Sequence, residues 1–296
     1  MRNTICFFLF IFYFQASIAQ QTIAQSDTSF FKEDSLSVAD SKSGDISTKA
    51  LTPYHTSLVN DGLIIAAAAG VNLLGYELIK NKKNLTMDQL AGKTRDNLPF
   101  FDRGNAGYYS HQADRDSYIL FTGSYAIPVA AALLDKKERA KFGQIMAMYL
   151  ETMAITGSMY TITAGLVYRS RPFVYGNKAP LEKRLDKGAQ RSFYGGHVAT
   201  TAAASFFTAK VFSDFNPGSK LTPWLYGAAG GLTMAMGYFR YRSGYHFLSD
   251  CVLSGAMGIA TGILVPQFHK KRSFKNISLT PAFENNSKGF LLTYRF

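Results

Sequence analysis

Apolar and polar positions divide the chain into a short apolar head, a long polar stretch, six extended apolar segments and an alternating tail. The six segments cover approximately 62–79, 118–134, 142–168, 197–212, 221–239 and 248–268. Each is too long for an ordinary strand and rich in Ala, Leu, Met and Gly, so the pattern predicts helices. Small residues recur at 66–70, 202–204 and 227–231, which lets helices approach closely, as in packed membrane bundles. Segment 142–168 carries only Glu151 over 27 residues, and 221–239 carries no charge over 19. Both approach the roughly 20 residues needed to cross a bilayer. The uncharged runs 62–76 and 118–134 are shorter, at 15 and 17 residues. Membrane-integral helices are favoured, and a soluble bundle stays open.

The flanks read differently. Residues 1–19 resemble a secretory signal: Arg2 supplies the positive start, 6–14 the apolar stretch, and Ser17-Ile18-Ala19 a small-x-small cleavage site before Gln20. An uncleaved anchor is the alternative. Residues 20–56 are rich in Ser, Thr, Asp and Gln and are expected to form a flexible exported leader. The helical domain is expected over 57–272. Ile277, Leu279 and Phe283 precede a polar turn at 285–289, after which Phe290, Leu292, Tyr294 and Phe296 alternate. That predicts a small β-hairpin over 273–296. The fold class is all-α, a six-helix bundle with this hairpin appended.

Composition narrows the partners. At 296 residues, 47% hydrophobic and 18% charged, with mean hydropathy near zero, the chain is neither disordered nor collagenous. Its net charge of +12 suits nucleic acid, anionic lipid headgroups or phosphorylated substrates. A Cys/His finger, an RNP-like aromatic motif and a long Lys/Arg run are all missing, so nucleic acid is not an expected partner. With Cys6 in the signal, only Cys251 is left, which excludes an intramolecular disulfide and a cysteine-based metal site. An exported chain without disulfides fits a bacterial envelope.

Three places concentrate chemistry. Arg169-Ser170-Arg171-Pro172 follows the third long segment, where proline stops the helix and leaves arginines at its mouth. Ser192-Phe193-Tyr194-Gly195-Gly196-His197 precedes an Ala-rich helix, and its glycines would expose backbone N–H groups to an anion. Arg240-Tyr241-Arg242-Ser243-Gly244-Tyr245-His246 is followed by Asp250; at i, i+4 on a helix, His246 and Asp250 would share a face. Taken singly, each has an ordinary reading as a helix cap, a surface pair or a dipole partner. Their order and spacing together single them out.

In that order the chain resembles the type-2 phosphatidic acid phosphatase superfamily, which also contains vanadium-dependent haloperoxidases and bacterial acid phosphatases. The family pattern is Lys-x6-Arg-Pro, then Pro-Ser-Gly-His, then Ser-Arg-x5-His-x3-Asp. Here it reads Ala164-x6-Arg171-Pro172, Tyr194-Gly195-Gly196-His197 and Phe239-Arg240-x5-His246-x3-Asp250, and the resemblance spans 62–268. It implies the six-helix fold of that family and a metal-independent phosphatase that needs no cofactor. Under it His246 is the nucleophile forming a phosphohistidine, Asp250 its orienter and His197 the general acid. Arg171, Arg240 and the N–H groups of Gly195 and Gly196 bind the phosphate. The substrate implied is a phosphate monoester or diphosphate, most plausibly of a lipid. The implied location is the exported cell envelope, membrane-associated or integral, with the site facing the periplasm.

The chain departs from the pattern at Ala164, Tyr194, Gly195 and Phe239, which removes one cation and one hydroxyl donor. Arg169, Lys178, Lys183 and Arg242 are candidate substitutes. The alternative reading is a weakened or inactive member that binds a phosphate headgroup or serves structurally; a vanadate haloperoxidase ranks lower, because the missing Lys is also a vanadate contact.

Overall fold

The computed structural model describes residues 52–271 and the backbone of 277–284 and 287–294. The signal expected over 1–19, and the leader up to residue 51, lie outside the described residues. Ten α-helices follow in the described part: α1 (Leu58–Lys80), α2 (Met87–Ala91), α3 (His111–Ser124), α4 (Ala126–Leu134), α5 (Lys136–Arg139), α6 (Phe142–Leu166), α7 (Leu181–Leu185), α8 (Gly196–Phe215), α9 (Thr222–Arg242) and α10 (Leu248–His269). The all-α bundle expected from the apolar segments is what forms, with short helices in the polar connections.

One segment divides. The pattern predicted a single helix over 118–134, whereas α3 starts seven residues earlier, at His111, and gives way to α4 at Tyr125. Pro128 sits in the first turn of α4 and has no N–H for the carbonyl of Ser124, which interrupts the ladder there. The boundary expected at residue 57 also shifts. Residues 52–56 were assigned to the flexible leader, yet Tyr54 is wholly buried and its hydroxyl donates to Asp214 at 2.8 Å. Its ring packs edge-on to Phe215, and Ile145, Met148, Ala204, Phe207 and Val211 complete that cluster.

α8 is the central helix, with Ala199, Ala202, Ala203, Ala204 and Phe207 fully enclosed. Its small side chains admit α10 very closely: a Cβ at Gly258 would lie 2.1 Å from the carbonyl oxygen of Ala199. α1 meets α6 the same way, since a Cβ at Gly75 would lie 2.5 Å from the backbone of Ile162. Such contacts stabilise by dispersion and close fit rather than by release of water, the regime of helices packed in lipid. Outward faces are apolar, with Leu58, Leu73, Trp224, Met234, Val252 and Phe268 all well exposed. Three stretches are long and apolar enough to cross a membrane: Leu58–Lys80, His111–Leu134 and Leu248–His269. These features support membrane association.

The C-terminal hairpin stays an expectation. The backbone of Ile277–Glu284 and Ser287–Tyr294 runs as an antiparallel pair with Ile277 opposite Tyr294, but side chains there are not among the described residues.

Candidate active site

The C-terminal ends of α6 and α9 and the N-terminal ends of α8 and α10 supply the loops that carry the singled-out residues. Two of these loops run side by side: Ser192 N–H donates to the carbonyl of Arg169 at 3.0 Å, and Arg171 N–H to that of Ala189 at 2.8 Å. Arg171 and Ser192 are thereby fixed beside each other.

His246 lies in the turn between α9 and α10. Gly244 makes that turn possible at φ +76°, and a Cβ there would fall 1.8 Å from the carbonyl oxygen of Tyr108, so only glycine fits. Asn105, fully buried in the 98–110 loop, donates to the carbonyls of Tyr241 (3.0 Å) and His246 (2.9 Å) and pins the turn. The ring Nδ1 of His246 stands 2.6 Å from the carbonyl oxygen of Ser192. A carbonyl only accepts, so Nδ1 carries the proton and Nε2 presents its lone pair. Burial pushes the imidazole well below its ordinary value, Arg240 and Arg171 push the same way, and the Ser192 carbonyl opposes them. The ring is neutral at pH 7, the state a nitrogen nucleophile needs.

The expected pairing of His246 with Asp250 takes another form. α10 begins at Leu248, so His246 precedes the helix and the i, i+4 argument does not apply. Among the described residues no hydrogen bond joins Asp250 to the His246 ring. Asp250 accepts from the Ser192 hydroxyl at 2.6 Å, from Phe247 N–H at 2.9 Å and from Arg169. It grips Ser192 by the hydroxyl, and the Ser192 carbonyl in turn holds the imidazole. Arg169 bridges Asp250 to Asp102, whose carboxylate also accepts from the N–H and hydroxyl of Ser249 at 3.0 and 2.7 Å. Both carboxylates are fully buried. Arg169 is therefore a counter-ion of the scaffold and not the substitute phosphate ligand.

The cations stand opposite this network. The guanidinium groups of Arg171 and Arg240 lie 4.5 and 4.3 Å from the centre of the same ring, Tyr245. Arg171 has one backbone acceptor, at 3.4 Å, and among the described residues no carboxylate pairs with it. Burial, then Arg191, push it down to about 10. Arg240 pairs with Asp114 at 2.7 Å, while its Nε is buried without a partner. His197 is the second residue of α8, with its Nε2 buried and unpartnered and its ring against Phe121 and Tyr118. Arg191 has a buried, unpartnered Nε as well.

Gly195 and Gly196 divide the anion cradle unevenly. Gly195 N–H already donates to the hydroxyl of Ser254 at 2.6 Å, because Gly195 tucks against α10. The first turn of α8 has no side-chain cap, so the N–H groups of Gly196, His197 and Val198 lack an intrahelical acceptor. Ala164, where the family pattern has lysine, is wholly buried in α6. Of the proposed substitutes, Lys183 donates to the Tyr245 hydroxyl at 2.7 Å, and Lys178 and Arg242 lie over Tyr108. Lys82, from the loop after α1, donates to the carbonyls of Val167 and Gln190; burial, then Arg191 and Arg171, push it down to about 8.

Sequence reading gave no role to Asp102, Asn105, Asp114, Ser192 or Ser254. Their signals were faint. Asp102 and Asn105 stand in a loop set off by Leu98-Pro99-Phe100, and Ser192 adjoins a motif without belonging to it.

The family model described as the PAP2 superfamily matches residues 146–274. No curated protein matches the chain. Among solved structures, LpxE of Aquifex aeolicus is 18% identical with a TM-score of 0.40, over 59% of this chain and 99% of its own. The PAP2-type phosphatidylglycerolphosphate phosphatase of Bacillus subtilis is 18% identical with a TM-score of 0.27, over 53% and 94%. The stretch that matches the PAP2 superfamily model starts inside α6, runs past the end of α10 and contains every motif residue discussed above.

Proposed function

We propose that the chain is a phosphatase of the cell envelope that hydrolyses a phosphate monoester or diphosphate carried on a lipid, through a phosphohistidine. The observation that carries this reading is the unpaired donors: His197 Nε2, Arg240 Nε and Arg191 Nε are buried without partners, beside an Arg171 with no counter-ion among the described residues. Buried donors without acceptors are costly unless a ligand supplies them, and an anion with several oxygens answers all of them. An apolar groove of about 700 Å³ between α9 and α10 runs up to Tyr241 and Leu248, which flank the His246 turn. It supports a substrate with a hydrocarbon tail.

In this reading Nε2 of His246 attacks phosphorus, the bond to the leaving oxygen breaks, and His197 in its protonated form gives that oxygen a proton. The negative charge of the bound phosphate favours the imidazolium. His197 then takes a proton from water, whose oxygen attacks phosphorus; the P–N bond breaks, phosphate leaves and His246 is neutral again. Arg171, Arg240 and the N–H groups of the first turn of α8 hold the equatorial oxygens. Export, and a site facing the periplasm, belong to the same proposal and rest on the signal-like residues 1–19.

The test is to quench turnover of a ³²P-labelled lipid phosphate in alkali. Acid-labile, alkali-stable label on the wild type that is missing from His246→Ala is the expected result. A specific observation favours the second reading, a weakened headgroup binder: Asp114 already pairs with Arg240. Tight binding of inorganic phosphate, with neither label nor phosphate release, would select it.

A further inference from the structure

At the far end of the bundle, three ionisable groups from three helices face one another. They are Asp61 in the first turn of α1, Glu151 in α6 and His269 at the end of α10. Asp250 and His269 are 19 residues apart on α10, about 28 Å along the axis, so this cluster is remote from the phosphate site. Glu151 is the single charge in α6 and is 4% exposed. Its Oε2 is buried and, among the described residues, accepts no hydrogen bond.

The imidazole explains what is missing. His269 Nδ1 lies 2.9 Å from the carbonyl oxygen of Val265, which fixes the proton on Nδ1 and turns Nε2 toward the carboxylates. Nε2 is 3.4 Å from Asp61 Oδ1 and 3.3 Å from Glu151 Oε2. Charge-assisted N–H···O bonds are shorter, about 2.7–2.9 Å, and one proton cannot lie on two lines at once. The spacing does match the edge of a coordination tetrahedron: with Zn–N and Zn–O bonds near 2.0–2.1 Å, neighbouring ligand atoms stand about 3.3–3.4 Å apart. The ligands are also oriented as metal ligands are. Val265 holds the imidazole, and Ser57 N–H holds Asp61 Oδ2 at 2.9 Å, which leaves Oδ1 to point inward. A divalent ion would balance two buried carboxylates, where a proton leaves one negative charge over.

The geometry points to a zinc site formed by Asp61 Oδ1, Glu151 Oε2 and His269 Nε2, with the fourth position open to water. It ties the start of α1 and the end of α10 to α6, next to the point where His55 N–H donates to the carbonyl of His269 at 2.8 Å. No step of the proposed hydrolysis runs through it.

The untagged full chain, stripped of metal, reloaded with Zn²⁺ and desalted, is expected to retain about one zinc ion. Glu151→Gln and Asp61→Asn should each lose it, with affinity falling by more than tenfold, while His246→Ala keeps it. Zinc-edge X-ray absorption of the wild type, which does not depend on any variant folding, should show a single imidazole among oxygen ligands. Two imidazoles, or zinc lost with His246→Ala and kept in Glu151→Gln, would assign the ion to the phosphate-site histidines and overturn the proposal. Failure of the wild type to retain zinc would leave a protonated His269 between two carboxylates and overturn it equally.

Discussion

Replacing Arg169 by methionine removes the one cation that serves both Asp102 and Asp250, two carboxylates with no exposed surface. Breaking a buried pair by deleting one partner costs about 3–5 kcal/mol, because the other charge is left in a poorly solvating place. Arg169 keeps 22% of its side chain exposed, and water relieves part of the loss, which sets the expectation near the lower end, about 3 kcal/mol. Activity suffers through a chain of contacts: Asp250 loses its counter-ion, Ser192 loses a firm partner, and the carbonyl that orients His246 drifts. A displacement of about 1 Å at a reacting atom costs on the order of 10²-fold in rate. Arg169→Lys reaches one carboxylate but not both and should fall between. Urea unfolding in detergent micelles and kcat for phosphate release measure the two effects. Asp102→Asn combined with Arg169→Met should cost less than the two singles added, since the second change removes a charge the first stranded. Strict additivity, or Arg169→Met within about 0.5 kcal/mol of wild type at unchanged kcat, would refute the argument.

Other expectations follow from single contacts. Gly244→Ala places a methyl 1.8 Å from the Tyr108 carbonyl at a φ of +76°; it should cost about 1–3 kcal/mol in unfolding experiments and abolish turnover by moving His246. Gly195→Ala puts a Cβ 3.1 Å from the Ser254 hydroxyl, which cannot yield while it accepts from Gly195 N–H and donates to Asp250, so kcat should drop and Ser254→Ala should recover part of it. A ¹⁵N-histidine NMR titration should find His246 still neutral, with the proton on Nδ1, at pH values below its ordinary 6.5. Because its folded value is depressed, its contribution to stability is complete above about pH 6.5 and declines as pH falls. A ring already protonated at pH 6.5 would contradict the burial argument.

The apolar segments located the long helices, because helices that are apolar on their outward faces as well as their packed ones are written as runs of Ala, Leu, Met and Gly. The break at Tyr125 was harder to read: Pro128 was visible, but its effect depends on whether α4 packs at an angle to α3. The motif spacing picked out Arg171, His197, Arg240, His246 and Asp250, which stand at helix ends and in the turns between them. How they are connected was not legible. Asp250 reaches His246 by way of Ser192, and Arg169 reaches Asp102 across 67 positions, a contact that leaves no periodicity or spacing in the sequence. Residues 52–56 looked like more of the polar leader because one tyrosine among polar neighbours carries no pattern; only the pocket beside Phe215 shows why Tyr54 is buried.

The loop at 98–110 also sets an order of events during synthesis. Asp102 is joined to Ser249 across 147 positions, and Asn105 to His246 across 141. At about 5–20 residues per second, the ribosome delivers the partners on the order of ten seconds after the loop itself. Through that interval the amide of Asn105 has only water to bind, and the carboxylate of Asp102 has water and then Arg169, since hydrocarbon would leave both groups unsatisfied. The loop must therefore wait in the aqueous phase on the side where α10 will later begin. A chain halted before residue 240 would hold Asn105 without either of its acceptors and Asp102 with Arg169 but without Ser249, and would display that loop to proteases and chaperones as a mark of incompleteness.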